Sequence, residues 1–294
     1  MSITHHLNKQ LIGVVLATAA AFGTPIASAK NWICADEMLS PGTYGNVTVA
    51  AGTSCTIPSG VTITGNLTAN NAASLAIQGT DLGKIADCES ATVKILGNVT
   101  VKDLDGVSAT DEITIYDACI GGNLTVKDSS TWGQSSDGIT VLRSTINGNA
   151  TIQNNNAVQI RFGSSELGGT DVGGNVTVKG NSVDIYLVVN NGFIGGNLTV
   201  QSNFAVEEIA IYDRTIGGNL IFKDNVSTDD VFPQFVNRIA RNHIYGNLNF
   251  TGNTAIDSVQ IDTNNIDGNL ACKKNNPDPT AIDNTIGGKL NCSG

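Results

Sequence analysis

Gly-Asn-Leu-Thr-Val at Gly122–Val126 is the stretch that decides the fold, because variants of it recur from one end of the chain to the other. The repeated pentapeptides begin at Gly45, Gly65, Gly97, Gly122, Gly148, Gly174, Gly196, Gly218, Gly246, Gly268 and Gly288. Successive glycines lie 20 to 32 residues apart, and the residues between them are typical of strands rather than helices. A period of this length and composition indicates a β-solenoid.

Three apolar columns follow from aligning the repeats on their glycines. The residues two and four positions after each glycine are apolar throughout, and alternation along a strand places both on one face. A third column, two positions before the glycine, contains only Ile and Val except for Thr43 in the first coil. These columns predict the interior of the solenoid, which one coil can bury only by stacking on the next.

Asparagine recurs seven positions after the glycine in six consecutive coils. The residues are Asn155, Asn181, Asn203, Asn225, Asn253 and Asn275. Stacked asparagines can hydrogen-bond to one another and to backbone groups that a turn leaves unpaired. The pattern resembles the asparagine ladder of right-handed parallel β-helices, the architecture of pectate lyases and several bacterial adhesins. The resemblance covers Gly45 to Cys292 and concerns architecture alone.

The sequence therefore predicts an all-β protein, a single-stranded right-handed parallel β-helix of about eleven coils over residues 30–294. Coils of unequal length favour the right-handed form, because left-handed β-helices resemble strict hexapeptide arrays. The largest insertions lie within Ala72–Thr92, Ser129–Gly138, Arg161–Gly173 and Ser227–Asn237, and we expect them on surface loops. We also expect each repeat glycine to turn a corner through a positive φ.

Residues 1–29 have the features of a secretory signal peptide. Lys9 precedes the apolar run Leu11–Gly23, and Ala27–Ala29 has the small residues of a cleavage site. The run is too short to span a membrane, although a retained N-terminal anchor is the alternative. We expect the mature protein to be secreted, periplasmic or attached to the cell surface, without a transmembrane segment.

The charge of the chain disfavours two classes of partner. The net charge is −10, and removing the signal removes one lysine, so 15 basic and 26 acidic residues give −11. An acidic surface argues against binding to nucleic acid and to anionic membranes.

The six cysteines are compatible with an oxidising compartment. Cys272 and Cys292 occupy the same inward column in adjacent coils, so their Cα atoms should lie within disulfide range. Cys34 and Cys55 are about one coil apart, which leaves Cys88 and Cys119 by elimination. Six cysteines allow fifteen connectivities, so the sequence alone leaves the pairing open.

Two polar columns are expected on the outer face of the repeat strands. Asparagine follows the glycine in ten coils, and a threonine row lies two positions further on. The threonines are Thr48, Thr68, Thr100, Thr125, Thr151, Thr177 and Thr199. Threonine is favoured on the solvent face of strands, which explains the row without a function. The alternatives are a flat face that binds polysaccharide and, because threonine rows on β-solenoids are similar to ice-binding proteins, a face that binds ice.

A mixed polar column five positions before the glycine provides the catalytic candidates. Asp213 is expected to face Arg241 across adjacent coils, and Asp117 to face Arg143; Asp262 flanks the column. Polysaccharide lyases and hydrolases of this fold use carboxylates, Ca²⁺ and a basic residue on an outer face. The simpler interpretation is stacked ion pairs between neighbouring strands.

Taken together, these features predict a secreted, non-catalytic structural or adhesive protein, with polysaccharide or another cell-surface component as its partner. A carbohydrate-active enzyme is the alternative, and an ice-binding protein is the second alternative. The sequence indicates neither cofactor nor metal, and it leaves the oligomeric state open.

Overall fold

The computed structural model describes residues 29–80, 88–106, 112–131, 138–164, 166–228, 237–256 and 258–292. All regular secondary structure within these ranges is β-strand, arranged in parallel coils, so the predicted β-solenoid is confirmed. The right-handed sense stays a prediction. The predicted signal peptide lies outside the described residues except for Ala29.

The repeat sheet is formed by the pentapeptides and one additional strand before them. Its strands are Trp32–Cys34, Val47–Val49, Leu67–Asn70, Val99–Lys102, Leu124–Lys127, Ala150–Gln153, Val176–Lys179, Leu198–Gln201, Leu220–Lys223, Leu248–Thr251, Leu270–Lys273 and Leu290–Cys292. Each strand pairs in parallel with the next and in register, as in the pairing of Val126 with Ile152. The apolar columns read from the sequence are therefore continuous files.

The wide sheet carries two strand segments per coil. The segments further from the glycine are Glu37–Met38, Ser54–Pro58, Ser74–Gln78, Ile113–Tyr116, Ile139–Leu142, Ile160–Phe162, Asn237–Ala240, Val259–Asp262 and Thr280–Ile282. Those just before it are Gly42–Tyr44, Val61–Ile63, Val93–Ile95, Ala118–Ile120, Thr145–Ile146, Asp171–Val172, His243–Ile244, Asn265–Ile266 and Thr285–Ile286. Two long strands, Tyr186–Ile194 and Glu208–Ile216, span both segments.

A short sheet closes the third side of the solenoid. Its strands are Asp105–Gly106, Ser130–Thr131, Asn156–Ala157, Ser182–Val183, Phe204–Ala205, Val226–Ser227 and Thr254–Ala255. The core lies between the three sheets. Leu124, Val126 and Ile120, one from each predicted column, are completely buried. In the last described strand, Leu290 is 60% exposed, because among the described strands it pairs only with Leu270–Lys273.

The predicted asparagine ladder is confirmed. The side-chain amide of Asn181 donates to Oδ1 of Asn203 at 2.9 Å and to the carbonyl of Ile152 at 3.0 Å. Its Oδ1 accepts the backbone N–H of Asn155 at 3.0 Å. All of these groups are buried, so the ladder satisfies backbone polar groups that would otherwise be unpaired in the interior.

Two further ladders were missed by the sequence analysis. Asn242, Asn264 and Asn284 form a second ladder at another corner, where Asn242 donates to Oδ1 of Asn264 at 3.0 Å. The outward asparagine column is a third ladder, because Oδ1 of Asn98 accepts the backbone N–H of Asn123 at 2.8 Å. These exposed asparagines therefore hold adjacent coils together.

The expectation for the repeat glycines was wrong. None of the eleven, all within the described residues, has φ in the left-handed region. A Cβ on Gly122 would instead lie 2.5 Å from Oδ1 of Asn98 in the preceding coil. The glycine is required because the outer ladder brings an asparagine side chain against the backbone at this point.

All three expected disulfide pairings are confirmed. Cα–Cα distances are 5.8 Å for Cys34–Cys55, 5.1 Å for Cys88–Cys119 and 4.4 Å for Cys272–Cys292. Three disulfides indicate an oxidising environment. In the part of the chain that the structure describes, no helix is long and apolar enough to cross a membrane.

Candidate functional site

The threonine row lies on the outer face of the repeat sheet, as predicted. Thr48 pairs in register with Thr68, and the file continues without interruption to Thr199 before Ile221 takes the position. Beyond Thr48 these side chains are half-buried between their neighbours. The row is thus a regular but shallow surface.

A column of lysines runs beside the threonines, and the sequence analysis missed it. The file consists of Lys102, Lys127, Gln153, Lys179, Gln201, Lys223, Thr251 and Lys273 in consecutive coils. Strand alternation was the available signal, since the fifth residue after the glycine points outward like the third.

We call these three outward columns the Asn–Thr–Lys face. Within the described residues the three columns contain no carboxylate. Aspartates lie at the adjoining corner, where Lys102 approaches Asp103 at 3.2 Å and Lys223 approaches Asp224 at 3.5 Å. Exposed pairs of this kind contribute little energy, so these ammonium groups can exchange partners readily.

The predicted catalytic candidates lie together on the wide sheet, but as ion pairs. Arg241 donates two hydrogen bonds of 2.7 Å to Asp213. Arg238 donates to Asp262 at 3.0 and 2.7 Å. The guanidinium carbons of Arg238 and Arg241 lie 5.6 and 5.5 Å from the centre of the Tyr212 ring. Hydrogen bonding to Asp262 and to Asp213 raises the pKa of Arg238 and of Arg241, respectively.

The other expected pair is also present, since Arg143 lies 2.7 Å from Asp117. Asp117, Arg143, Asp213 and Arg241 all have φ between 47° and 56°, in the left-handed region. They therefore occupy one type of corner, in two pairs of adjacent coils. Cross-strand ion pairing between corner residues accounts for the column without catalysis.

A cleft of about 290 Å³ lies beside this ion-pair cluster on the wide sheet. On the two long strands, Tyr186 pairs in register with Glu208, and Asn190 with Tyr212. Arg161, which belongs to the coil before these strands, pairs with Val188. These residues line the cleft. None belongs to a repeat column, so the periodic pattern carried no sign of them. The one available signal was the insertion within Arg161–Gly173.

Glu208 and Tyr212 form the polar floor of the cleft. The Tyr212 hydroxyl donates a short hydrogen bond to the Glu208 carboxyl group. Burial raises the pKa of Glu208, and this effect exceeds the opposing influence of the hydrogen bond. Burial, together with the nearby Glu208, also raises the pKa of Tyr212.

A buried arginine supports the wall of the cleft. The guanidinium of Arg214 donates to the carbonyls of Phe162 and Thr170 at 2.6 Å each and stacks 5.3 Å from the Phe162 ring centre. Burial lowers the pKa of Arg214 to about 9, so it remains mostly protonated at neutral pH. Gly163, the residue after Phe162, has φ +86°. A Cβ at this position would lie 1.7 Å from the carbonyl oxygen of Asn190.

Comparisons with known proteins do not identify a relative of this chain. No model of a protein family matches it, and no curated protein or solved structure gives a significant match.

Proposed function

We propose that this is an exported, non-catalytic adhesive protein that binds acidic polysaccharide through the Asn–Thr–Lys face. The observation that carries the proposal is the lysine column, which stays in register through eight consecutive strands on a chain of net charge −10. Positive charge is concentrated where hydroxyl and amide groups also lie in rows.

The geometry suits an extended anionic polymer. At about 4.8 Å between strands, the seven steps from Lys102 to Lys273 span about 34 Å. From Lys127 onward the lysines occupy every second strand, about 9.6 Å apart. Each exposed ammonium contributes little alone, but a polymer that contacts several at once binds through their combined effect. Binding of this kind weakens as salt increases.

Export is supported by the three disulfides, which are typical of proteins from oxidising compartments. It is also supported by the signal-like residues 1–29. The enzyme alternative is disfavoured because Asp213 and Asp262 are each held by an arginine through two hydrogen bonds. Release of sugar that stops in an Asp213→Ala variant would favour the enzyme.

Binding of the mature protein to immobilised hyaluronan, alginate and neutral dextran tests the proposal. The unmodified protein should bind at least one acidic polymer and not dextran. Lys127→Glu/Lys179→Glu should weaken this binding at least tenfold. The control, Lys30→Glu/Lys94→Glu, makes the same change in net charge away from the lysine column and should retain most of the affinity. Equal losses in both variants, or equal binding to dextran, would contradict the proposal.

Ice binding is disfavoured by the same lysine column. Long hydrated cations stand beside the threonine row, and Ile221 interrupts the row itself. We expect the purified protein to produce no thermal hysteresis and no shaping of ice crystals. Hysteresis that disappears in Thr125→Lys/Thr177→Lys would instead show that the threonine row binds ice.

A further inference from the structure

We infer that the cleft on the wide sheet is a second binding site, which accepts one neutral glycosyl unit of a carbohydrate. The site lies on a different sheet from the Asn–Thr–Lys face and uses different coils and different side chains. The inference therefore goes beyond the proposed function, and either can fail without the other.

The strongest observation is the side chain of Asn190. It is 9% exposed, it lines the cleft, and its Oδ1 atom is buried without a hydrogen-bond partner in the protein. Leaving such a group unsatisfied costs about 1–3 kcal/mol, and most buried side-chain polar atoms are hydrogen-bonded. Among the described residues, Oδ1 of Asn237 on the same sheet is also buried without a partner, but Asn237 does not line the cleft. Oδ1 of Asn190 has almost no exposed surface in the structure, so it accepts a ligand hydroxyl once the Asn190 amide turns toward the cleft.

Arg161 supplies a second recognition group. Its half-buried side chain lines the same cleft, and it makes no hydrogen bond or ion pair with the residues that the structure describes. The four other arginines of the wide sheet each make hydrogen bonds, three of them to aspartates. The planar guanidinium of Arg161 can donate to two adjacent acceptors, which suits neighbouring hydroxyl oxygens of one sugar ring.

The remaining walls suit a ring that is apolar on one face. Tyr186 and Val188 contribute aromatic and aliphatic surface, while Glu208 and the Tyr212 hydroxyl contribute polar atoms. Small-molecule sites characteristically combine apolar walls with a few convergent polar groups. The cleft volume of about 290 Å³ lies at the lower end of the range for such sites, which suits a single ring rather than an oligosaccharide.

Charge decides between a neutral sugar and an anionic one. The lining contains the carboxyl groups of Glu166 and Glu208 against the single charge of Arg161, and the other nearby arginines, Arg238 and Arg241, are paired with aspartates. No excess of positive charge is therefore available to hold a carboxylate or a phosphate. A ligand with many hydroxyl groups and no charge can hydrogen-bond to Asn190 and Arg161 without bringing a charge into the cleft.

The test is titration of the mature protein with glucose, galactose, mannose, xylose, N-acetylglucosamine and glucuronate, followed by calorimetry or ligand-observed NMR. At least one neutral sugar should bind. Asn190→Leu should weaken this binding at least tenfold while leaving the melting temperature unchanged or raised, because the lost amide oxygen has no partner in the protein. Arg161→Gln should weaken binding by a similar factor.

Two controls separate the cleft from other effects. Lys127→Glu/Lys179→Glu should leave sugar binding unchanged, and Asn190→Leu should leave binding to acidic polymers unchanged. The inference is overturned if none of the neutral sugars binds, or if Asn190→Leu binds them as well as the unmodified protein. It is also overturned if glucuronate binds more tightly than glucose, which differs from it only at C6.

Discussion

Individual residues at the corners of the coils explain the polar column that first suggested an active site. Among the residues that the structure describes, fifteen other than glycine have positive φ, and seven of them are aspartates. The short polar side chain of aspartate tolerates this conformation better than most. Positive φ therefore explains the aspartates in the column that contains Asp213 and Arg241. Their ion pair forms because adjacent coils place the two positions side by side.

Thr263 is poorly suited to its corner. It adopts φ 57°, although β-branched side chains strongly disfavour the left-handed region, and its side chain is exposed. We expect Thr263→Asn to stabilise the protein by about 1 kcal/mol, because asparagine tolerates this conformation. Chemical denaturation measures the change. Thr280→Asn, in an exposed extended strand, is the control and should not stabilise; a stabilisation equal to that of Thr263→Asn would contradict the explanation.

Glu208 should make stability depend on pH. Its folded-state pKa is raised by burial, so its favourable contribution is complete below the ordinary value of about 4.3 and is lost as pH rises through the folded pKa. Glu208→Gln removes this loss and keeps an acceptor for Tyr212. The melting temperature of Glu208→Gln relative to the unmodified protein should therefore rise between pH 4 and pH 8. Glu166→Gln, on the exposed rim, is the matched control; a pH-independent difference for Glu208→Gln would refute the burial effect.

At the level of structural elements, three asparagine ladders hold the coils together, in addition to the strand pairing. They differ in burial. The ladder through Asn225 is sealed in the interior, while the ladder through Asn219 lies on the surface. Water can replace a lost bond on the surface but not in the interior.

Asn225→Ala and Asn219→Ala form a matched pair. Asn225 donates to the Val200 carbonyl and to Asn253, and accepts from Asn203. Its removal leaves several buried groups unpaired and should cost about 3 kcal/mol. Asn219→Ala should cost about 1 kcal/mol or less, since water can reach the groups it leaves. Denaturation curves of the two variants compare them directly, and equal costs would mean that burial of the ladder has no energetic role.

At the scale of the whole molecule, the first and last strands of the repeat sheet each pair with one other described strand, whereas the strands between them pair with two. Disulfides lie at both ends, and the last coil still exposes Ile282 and Leu290. A covalent bond to the preceding coil compensates for burial that this coil cannot achieve.

Cys272→Ala/Cys292→Ala should therefore loosen the C-terminal coil without unfolding the protein. We expect hydrogen exchange to accelerate in Thr280–Ile282 and Leu290–Cys292, while protection in Leu198–Gln201 is unchanged, because each coil contacts only its neighbours. Mass spectrometry of peptides from the mature protein measures both regions. Loss of protection throughout the chain would show that the end coil nucleates the whole solenoid.

The fold, the strand register, the threonine row and the Cys272–Cys292 pairing could be predicted because all are periodic. A glycine every 20 to 32 residues aligns the coils, and strand alternation then assigns each position to the inside or the outside. Within this frame, Cys272 and Cys292 fall into one column, and Asn155 to Asn275 into another. Strand alternation also places the lysine column on the outer face, five residues after the glycine.

The cleft was decided only by the tertiary structure. Arg161, Asn190 and Glu208 come from different coils and lie at different positions along them, outside the columns that the repeat defines. Whether their side chains pair with one another depends on which neighbours the stacked strands place within hydrogen-bond distance. Arg241 lies within hydrogen-bond distance of Asp213, whereas Oδ1 of Asn190 has no hydrogen-bond partner among the described residues. A periodic sequence determines the rod, and packing between coils of unequal length determines which polar groups remain available to a ligand.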